Sequence, residues 1–182
     1  MPRVPPIVYD SAPPEVREAH DDHIRHHARI TNMKRTLLNS LPAFRALMEW
    51  YPLRDTVQPF LGPRLTVLFA HAISAETDCL ICSTFFRRIL IEEGQDPDRM
   101  ELDEREAAVV EYGRCLAVSP FRVPEAVYRR VAAHFDHAQL TALTAFGAIM
   151  VATNVFNNAL EVELDEYLHP YRREPAESRH AR

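Results

Sequence analysis

The apolar residues of this chain recur at helical spacing along most of its length. In "LPAFRALMEWY", Phe44, Leu47 and Met48 fall on one helical face, and Pro52 is expected to end that helix. "PRLTVLFAHAIS" follows Gly62 and reads as a second apolar helix. A further helix runs from Cys79 to Glu93, with Gly94 as its C-cap. Asp103 with Glu106 makes a capping box for "EREAAVVEYGRCLAVS". Pro124 opens "PEAVYRRVAAHF", and Asp136 with Gln139 caps a long helix that is expected to reach about Leu168.

Upstream, "MPRVPPIVYDSAPP" reads as an extended proline-rich arm. Pro13 and Pro14 then open one helix through "EVREAHDDHIRHHARITNMKRTLLNS". No segment alternates as a strand does, and no short repeat is visible, so the predicted fold is an all-α bundle. Three parts are expected: an N-terminal extension with the first helix (1–30), a domain (31–168) and a charged tail (169–182).

Composition narrows the function. A chain of 182 residues suffices for one domain with a sizeable core. The net charge of -5 argues against a nucleic-acid-binding surface. No apolar stretch approaches the length of a membrane span, and the N-terminus lacks the apolar core of a signal peptide, so the expected location is cytoplasmic. With 4 glycines, well spread, the chain has no phosphate-binding loop, and no cofactor is expected. Three cysteines make no disulfide scaffold.

Two of those cysteines, Cys79 and Cys82, stand close together in "AETDCLICSTFF". With Thr77 or Asp78 as N-cap, both fall at the start of a helix, on nearly the same face. The positive end of the helix dipole favours thiolate there, while Asp78 and Glu76 oppose it. A low-pKa thiol beside a resolving thiol is what two-electron redox chemistry requires. Two small core residues on an amphipathic helix is the competing reading. Structural zinc would need two more paired ligands, which the sequence does not offer. Separately, His20, His23 and His27 share one helical face with Asp21 and Asp22 adjacent; that spacing suits a divalent metal or a polar surface or subunit face. Cys115 stands alone and reads as a core residue.

"LGPRLTVLFAHAISAETDCLICSTFFRRILIEEGQDPD", "LDEREAAVVEYGRCLAVSP" and "DHAQLTALTAFGAIMVATNVFNNALEVEL" together resemble the carboxymuconolactone decarboxylase-like family, which includes alkyl hydroperoxidase D. The resemblance runs from roughly Thr31 to Leu168. It implies an all-α fold of the alkyl hydroperoxidase D type and a thiol-dependent oxidoreductase. Cys82 would attack a hydroperoxide and Cys79 would resolve the sulfenic acid. The implied substrate is a small hydroperoxide or disulfide, the reductant stays unnamed, and a homo-oligomer is implied. The family's relay uses a glutamate before the first cysteine and a histidine after the second, and these positions hold Val67 and Phe86 here; a further histidine position holds Ile81. His71, one turn beyond Val67, and Glu76 are the candidate replacements. A non-redox enzyme of the decarboxylase type and a non-catalytic oligomeric member are the alternatives.

Overall fold

The computed structural model of the chain describes residues 1–119 and 121–173. The architecture is all-α, as the periodicity predicts. The helices are α1 (Pro14–His27), α2 (Asn32–Leu37), α3 (Leu41–Met48), α4 (Trp50–Leu61), α5 (Pro63–Glu76), α6 (Leu80–Glu92), α7 (Glu104–Ala117), α8 (Glu125–Ala132) and α9 (His137–Leu160). Helix α5 is central, packing on α6, α7 and α9, while α4 crosses α9 and α8 leans on α7. Phe69, Ile73, Val109, Leu143, Phe146 and Met150 form the middle of the main core. A smaller cluster of Val16, Leu37, Leu38 and Phe44 seals the N-terminal helices.

Both predicted capping boxes form. Asp103 accepts from the Glu106 backbone at 2.8 Å, and Asp136 accepts from the Gln139 backbone at 2.8 Å. Such caps satisfy N–H groups that the first turn leaves without helical partners.

Three helix boundaries differ from expectation. The helix expected to follow Pro14 without interruption breaks at Ala28, which adopts φ 60 in the left-handed region. The break turns α2 so that the Asn32 backbone donates to Asp165 at 2.9 Å. Pro52 does not end a helix; it lies in the first turn of α4, where its missing N–H costs no helical hydrogen bond. Helix α9 stops at Leu160 rather than Leu168, because Glu161 turns left-handed at φ 50 and Val162 donates back to Asn157 at 3.1 Å. The chain then forms a 3-10 turn over Glu166–Tyr171 that packs on α6.

One further expectation is corrected. Helix α9 is long and apolar enough to cross a membrane by length and composition alone. Its polar residues are uncharged, so they interrupt the apolar run without ending it. In this fold it is a core helix in contact with α3, α4, α5 and α7.

The close approach of α5, α7 and α9 rests on two glycines. A Cβ at Gly113 would stand 2.9 Å from the Phe69 ring. At Gly147 it would stand 2.5 Å from Leu116 and 3.1 Å from Phe69, whose ring is fully buried. The N-terminal arm lies along the far end of α9, with the Arg3 backbone donating to the Leu160 carbonyl at 2.9 Å. Of the charged tail, residues 174–182 lie outside the described residues.

Candidate active site

The α5–α6 junction places the two thiols. Thr77 closes α5, and Asp78 then takes φ 50, which reverses the chain without a glycine. Cys79, not Thr77 or Asp78, is the N-cap of α6. Its carbonyl accepts from Ser83 at 2.9 Å, and its own N–H donates to the Ser74 carbonyl at 3.0 Å. Cys82 follows in the first turn, so both sulfurs sit at the positive end of the helix as the spacing predicts. Both are buried, Cys79 at 0% and Cys82 at 8% exposure.

Three asparagines near the end of α9 hold this junction. Asn154 donates to Thr77 Oγ1 at 2.8 Å, and Asn158 donates to the Thr77 carbonyl at 2.9 Å. Asn157 lies between them and points at the sulfurs. Its Nδ2 is 3.3 Å from Cys82 Sγ and 3.7 Å from Cys79 Sγ.

The neighbouring Cys82, joined by the Cys82 and Ile81 backbone N–H groups and the Asn157 amide, lowers the Cys79 thiol below its ordinary range against the cost of burial. In turn the nearness of Cys79 and burial push Cys82 well above the usual thiol range. Both directions make negative charge easier to hold on Cys79 than on Cys82, and the two thiols titrate as one pair.

Cys82 opens on a cavity of about 100 Å³. Ile81, Phe85 and Phe86 of α6, Trp50 and Tyr51 of α4, and Met150 of α9 form its apolar walls. The Trp50 indole donates to the Met150 sulfur at 2.8 Å. At the polar wall, Lys34 of α2 donates to Tyr51 Oη at 2.7 Å, and Asp165 lines the same space.

Solved structures align over nearly all of this arrangement. An uncharacterized peroxidase-related protein from Ralstonia eutropha JMP134, described as an alkylhydroperoxidase AhpD core, matches with a TM-score of 0.72 at 18% identity, covering 92% of this chain and 94% of that one. The fold is that of the AhpD core. The debrominase Bmp8 in its apo form aligns with a TM-score of 0.76 at 15% identity, over 92% of this chain and 95% of that one. A cysteine-to-alanine variant of Bmp8 in complex with 2,3,4-tribromopyrrole aligns with the same TM-score of 0.76. No protein-family model matches the sequence, and a search of curated proteins gives no match.

The two positions at which the family resemblance implies a relay are the half-buried Val67 and the buried Phe86. His71 and Glu76 line a different cleft. Ile81, Cys82, Phe85 and Phe86 face the cavity from one side of α6, whereas Leu80, Ser83, Thr84 and Arg87 on its other side line the cleft that holds His71 and Glu76. Burial, then the Arg87 charge, lower His71 to about 4. Sequence spacing placed His71 on the face of Val67, but α5 is the central helix and different parts of its surface meet different neighbours.

The histidine face of α1 packs rather than converges. His23 is buried edge-on against Phe44, and His27 stacks on Tyr51 with ring centroids 3.6 Å apart. Among the described residues, no group of three His, Cys, Asp or Glu side chains is placed to hold a metal ion. Cys115 lies in α7, half-buried, with its thiol raised mainly by burial. Asn157, Lys34, Tyr51 and Trp50 are the residues that the sequence alone did not single out. A uniform signal for Asn157 existed: three asparagines clustered in an otherwise apolar helix.

Proposed function

We propose that the protein is a thiol-dependent reductase that uses Cys79 and Cys82 to deliver two electrons to a small hydroperoxide. The observation that carries this reading is the Asn157 amide, which donates to Cys82 Sγ at 3.3 Å and to Cys79 Sγ at 3.7 Å where both thiols meet the positive end of α6. A buried pair kept only for packing needs no such donors.

In this reading Cys79 does the work of the missing relay. Its thiolate takes the Cys82 proton, and the Cys82 thiolate attacks the substrate in the cavity. The O–O bond breaks, Cys82 becomes a sulfenic acid, and the alkoxide takes a proton from water. The Cys79 thiol then attacks the Cys82 sulfur, the disulfide forms and water leaves. Overall, one hydroperoxide and two thiols give one alcohol, one water and one disulfide. An external dithiol returns the pair to the reduced state.

A second reading keeps the same thiols and changes the substrate. The aromatic walls around Cys82, together with the fold shared with the debrominase Bmp8, favour reductive removal of a ring halogen. One aryl bromide and two thiols would give the arene, hydrogen bromide and the disulfide.

Reduced protein is to be treated with one equivalent of cumene hydroperoxide or of a bromopyrrole. Cumyl alcohol formed with loss of two thiols supports the first reading, and bromide release supports the second. Thiols that survive both reagents overturn the reductase reading.

A further inference from the structure

The polar wall of the Cys82 cavity has a composition that hydroperoxide reduction does not use. Lys34 is half-buried, and burial brings its ammonium down to about 8 while Asp165 opposes that shift. One of its hydrogens goes to Tyr51 Oη at 2.7 Å. Because Tyr51 accepts there, its own O–H is free to point elsewhere. Burial raises the Tyr51 phenol to about 12, so it stays a donor at neutral pH.

Asp165 completes the wall. Its Oδ1 accepts from the Asn32 backbone at 2.9 Å, but its Oδ2 is buried with no hydrogen-bond partner. A buried carboxylate oxygen left in this state is costly. Burial also raises the Asp165 carboxyl above its ordinary range, which makes it a better proton acceptor. The other ionisable groups around this wall are His23 and His27 of α1, Arg29, Arg35 of α2, Arg54 of α4 and Tyr167. His23 is held neutral near 4, so it adds no charge at neutral pH.

The size of the space limits what can enter. A dry cavity of roughly 150 Å³ holds benzene in an engineered protein, and the space here is about 100 Å³ with one side open. It admits nothing larger than a single ring.

We propose that this cavity selects single-ring molecules bearing one acidic O–H or N–H group, which give their proton to Asp165 Oδ2 and are held as anions by Lys34 and Tyr51. The exchange balances: a neutral acid and an aspartate become an anion and an aspartic acid. The ligand enters uncharged, which suits the apolar walls, and the net charge of the site does not change. Lys34 then gains an anion as Asp165 loses its charge, so the ammonium keeps a counter-ion throughout. Phenols made acidic by electron-withdrawing ring substituents have this chemistry. The inference rests on the reading of this cavity as the substrate site of Cys82.

4-Nitrophenol tests it, because its anion is yellow and its acid is colourless. The reduced protein is titrated with the dye below the pH at which the free dye ionises. The expected result is yellow bound dye, titrating at least about one unit lower than free dye, equivalent to tenfold tighter binding of the anion over the acid. Quenching of Trp50, the single tryptophan, reports occupancy of the cavity independently of colour. Lys34→Met should bind the dye colourless. Asp165→Asn should keep the colour but release one proton per bound dye into weakly buffered solution, since the internal acceptor is gone. Circular dichroism identifies any variant that fails to fold, and Tyr51→Phe, which removes a donor to the dye and the acceptor that holds Lys34, should reduce the shift.

Dye that does not quench Trp50, or that stays colourless in the native protein, overturns the proposal. So does an unchanged titration in folded Lys34→Met. None of these readouts needs turnover. Colour with no thiol oxidation would sink the reductase reading alone, and turnover without colour would sink this inference alone.

Discussion

Asn157 Nδ2 lies 3.3 Å from Cys82 Sγ, although 75 residues separate the two along the chain. An amide aimed at a thiolate stabilises charge, and hydrogen bonds to charged groups contribute about 1.5–3 kcal/mol. Asn157→Ala should therefore raise the pKa of the pair by about one unit. The rate of alkylation by iodoacetamide against pH measures it. An unchanged midpoint would show that the amide acts on the helix junction and not on the sulfurs.

The pair should react as a base does near neutrality. The Cys79 thiol is lowered, so the monoanion persists below the ordinary thiol range and is lost as pH falls through the lowered value. Thiol oxidation by hydroperoxide should follow the same curve. A profile that keeps rising to the ordinary thiol range would place no charge on Cys79 at neutral pH.

The two cysteines should fail in different ways. Cys79 is fully buried whereas Cys82 faces the cavity, so access favours attack by Cys82 even though charge is easier to hold on Cys79. Cys82→Ser should abolish peroxide consumption. Cys79→Ser should slow attack, because the internal base is lost, and should leave a sulfenic acid on Cys82. Mass spectrometry after one equivalent of hydroperoxide distinguishes them, and a sulfenic acid on Cys79 in Cys82→Ser would reverse the roles.

Acid should weaken the N-terminal cluster. Burial depresses His23 to about 4 in the folded chain, against an ordinary value of 6.5. The unfolded chain therefore takes a proton first as pH drops. The stability is complete above 6.5 and is lost between 6.5 and about 4, up to about 3 kcal/mol for this one group. His23→Phe should flatten urea stability over that window. A parallel decline in native and variant protein would assign the loss to other groups.

What the sequence discloses here is local. The boxes at Asp103 and Asp136 involve residues three apart, and the thiols sit one turn apart at a helix start. Both follow from short-range geometry. Positions that depend on long-range packing are hidden. Nothing in the sequence marks Lys34 until folding brings Tyr51, on another helix, to accept its hydrogen bond at 2.7 Å. His71 reads as a neighbour of the sulfurs until α6 is seen to stand between its cleft and the cavity. The left-handed turns at Ala28, Asp78 and Glu161 carry no glycine to announce them, which is why the helix ends around them were misplaced.

Gly147 is the fulcrum of a lever. It lies ten residues before Asn157 on α9, roughly 15 Å along the helix axis. There α9 touches α5 and α7 with no space for a methyl group. Prying the helix away at that point swings its far end, and the far end carries the amide that steadies a thiolate. The tuning of a sulfur is thus set where no chemistry happens, by the one kind of residue that has no side chain to contribute.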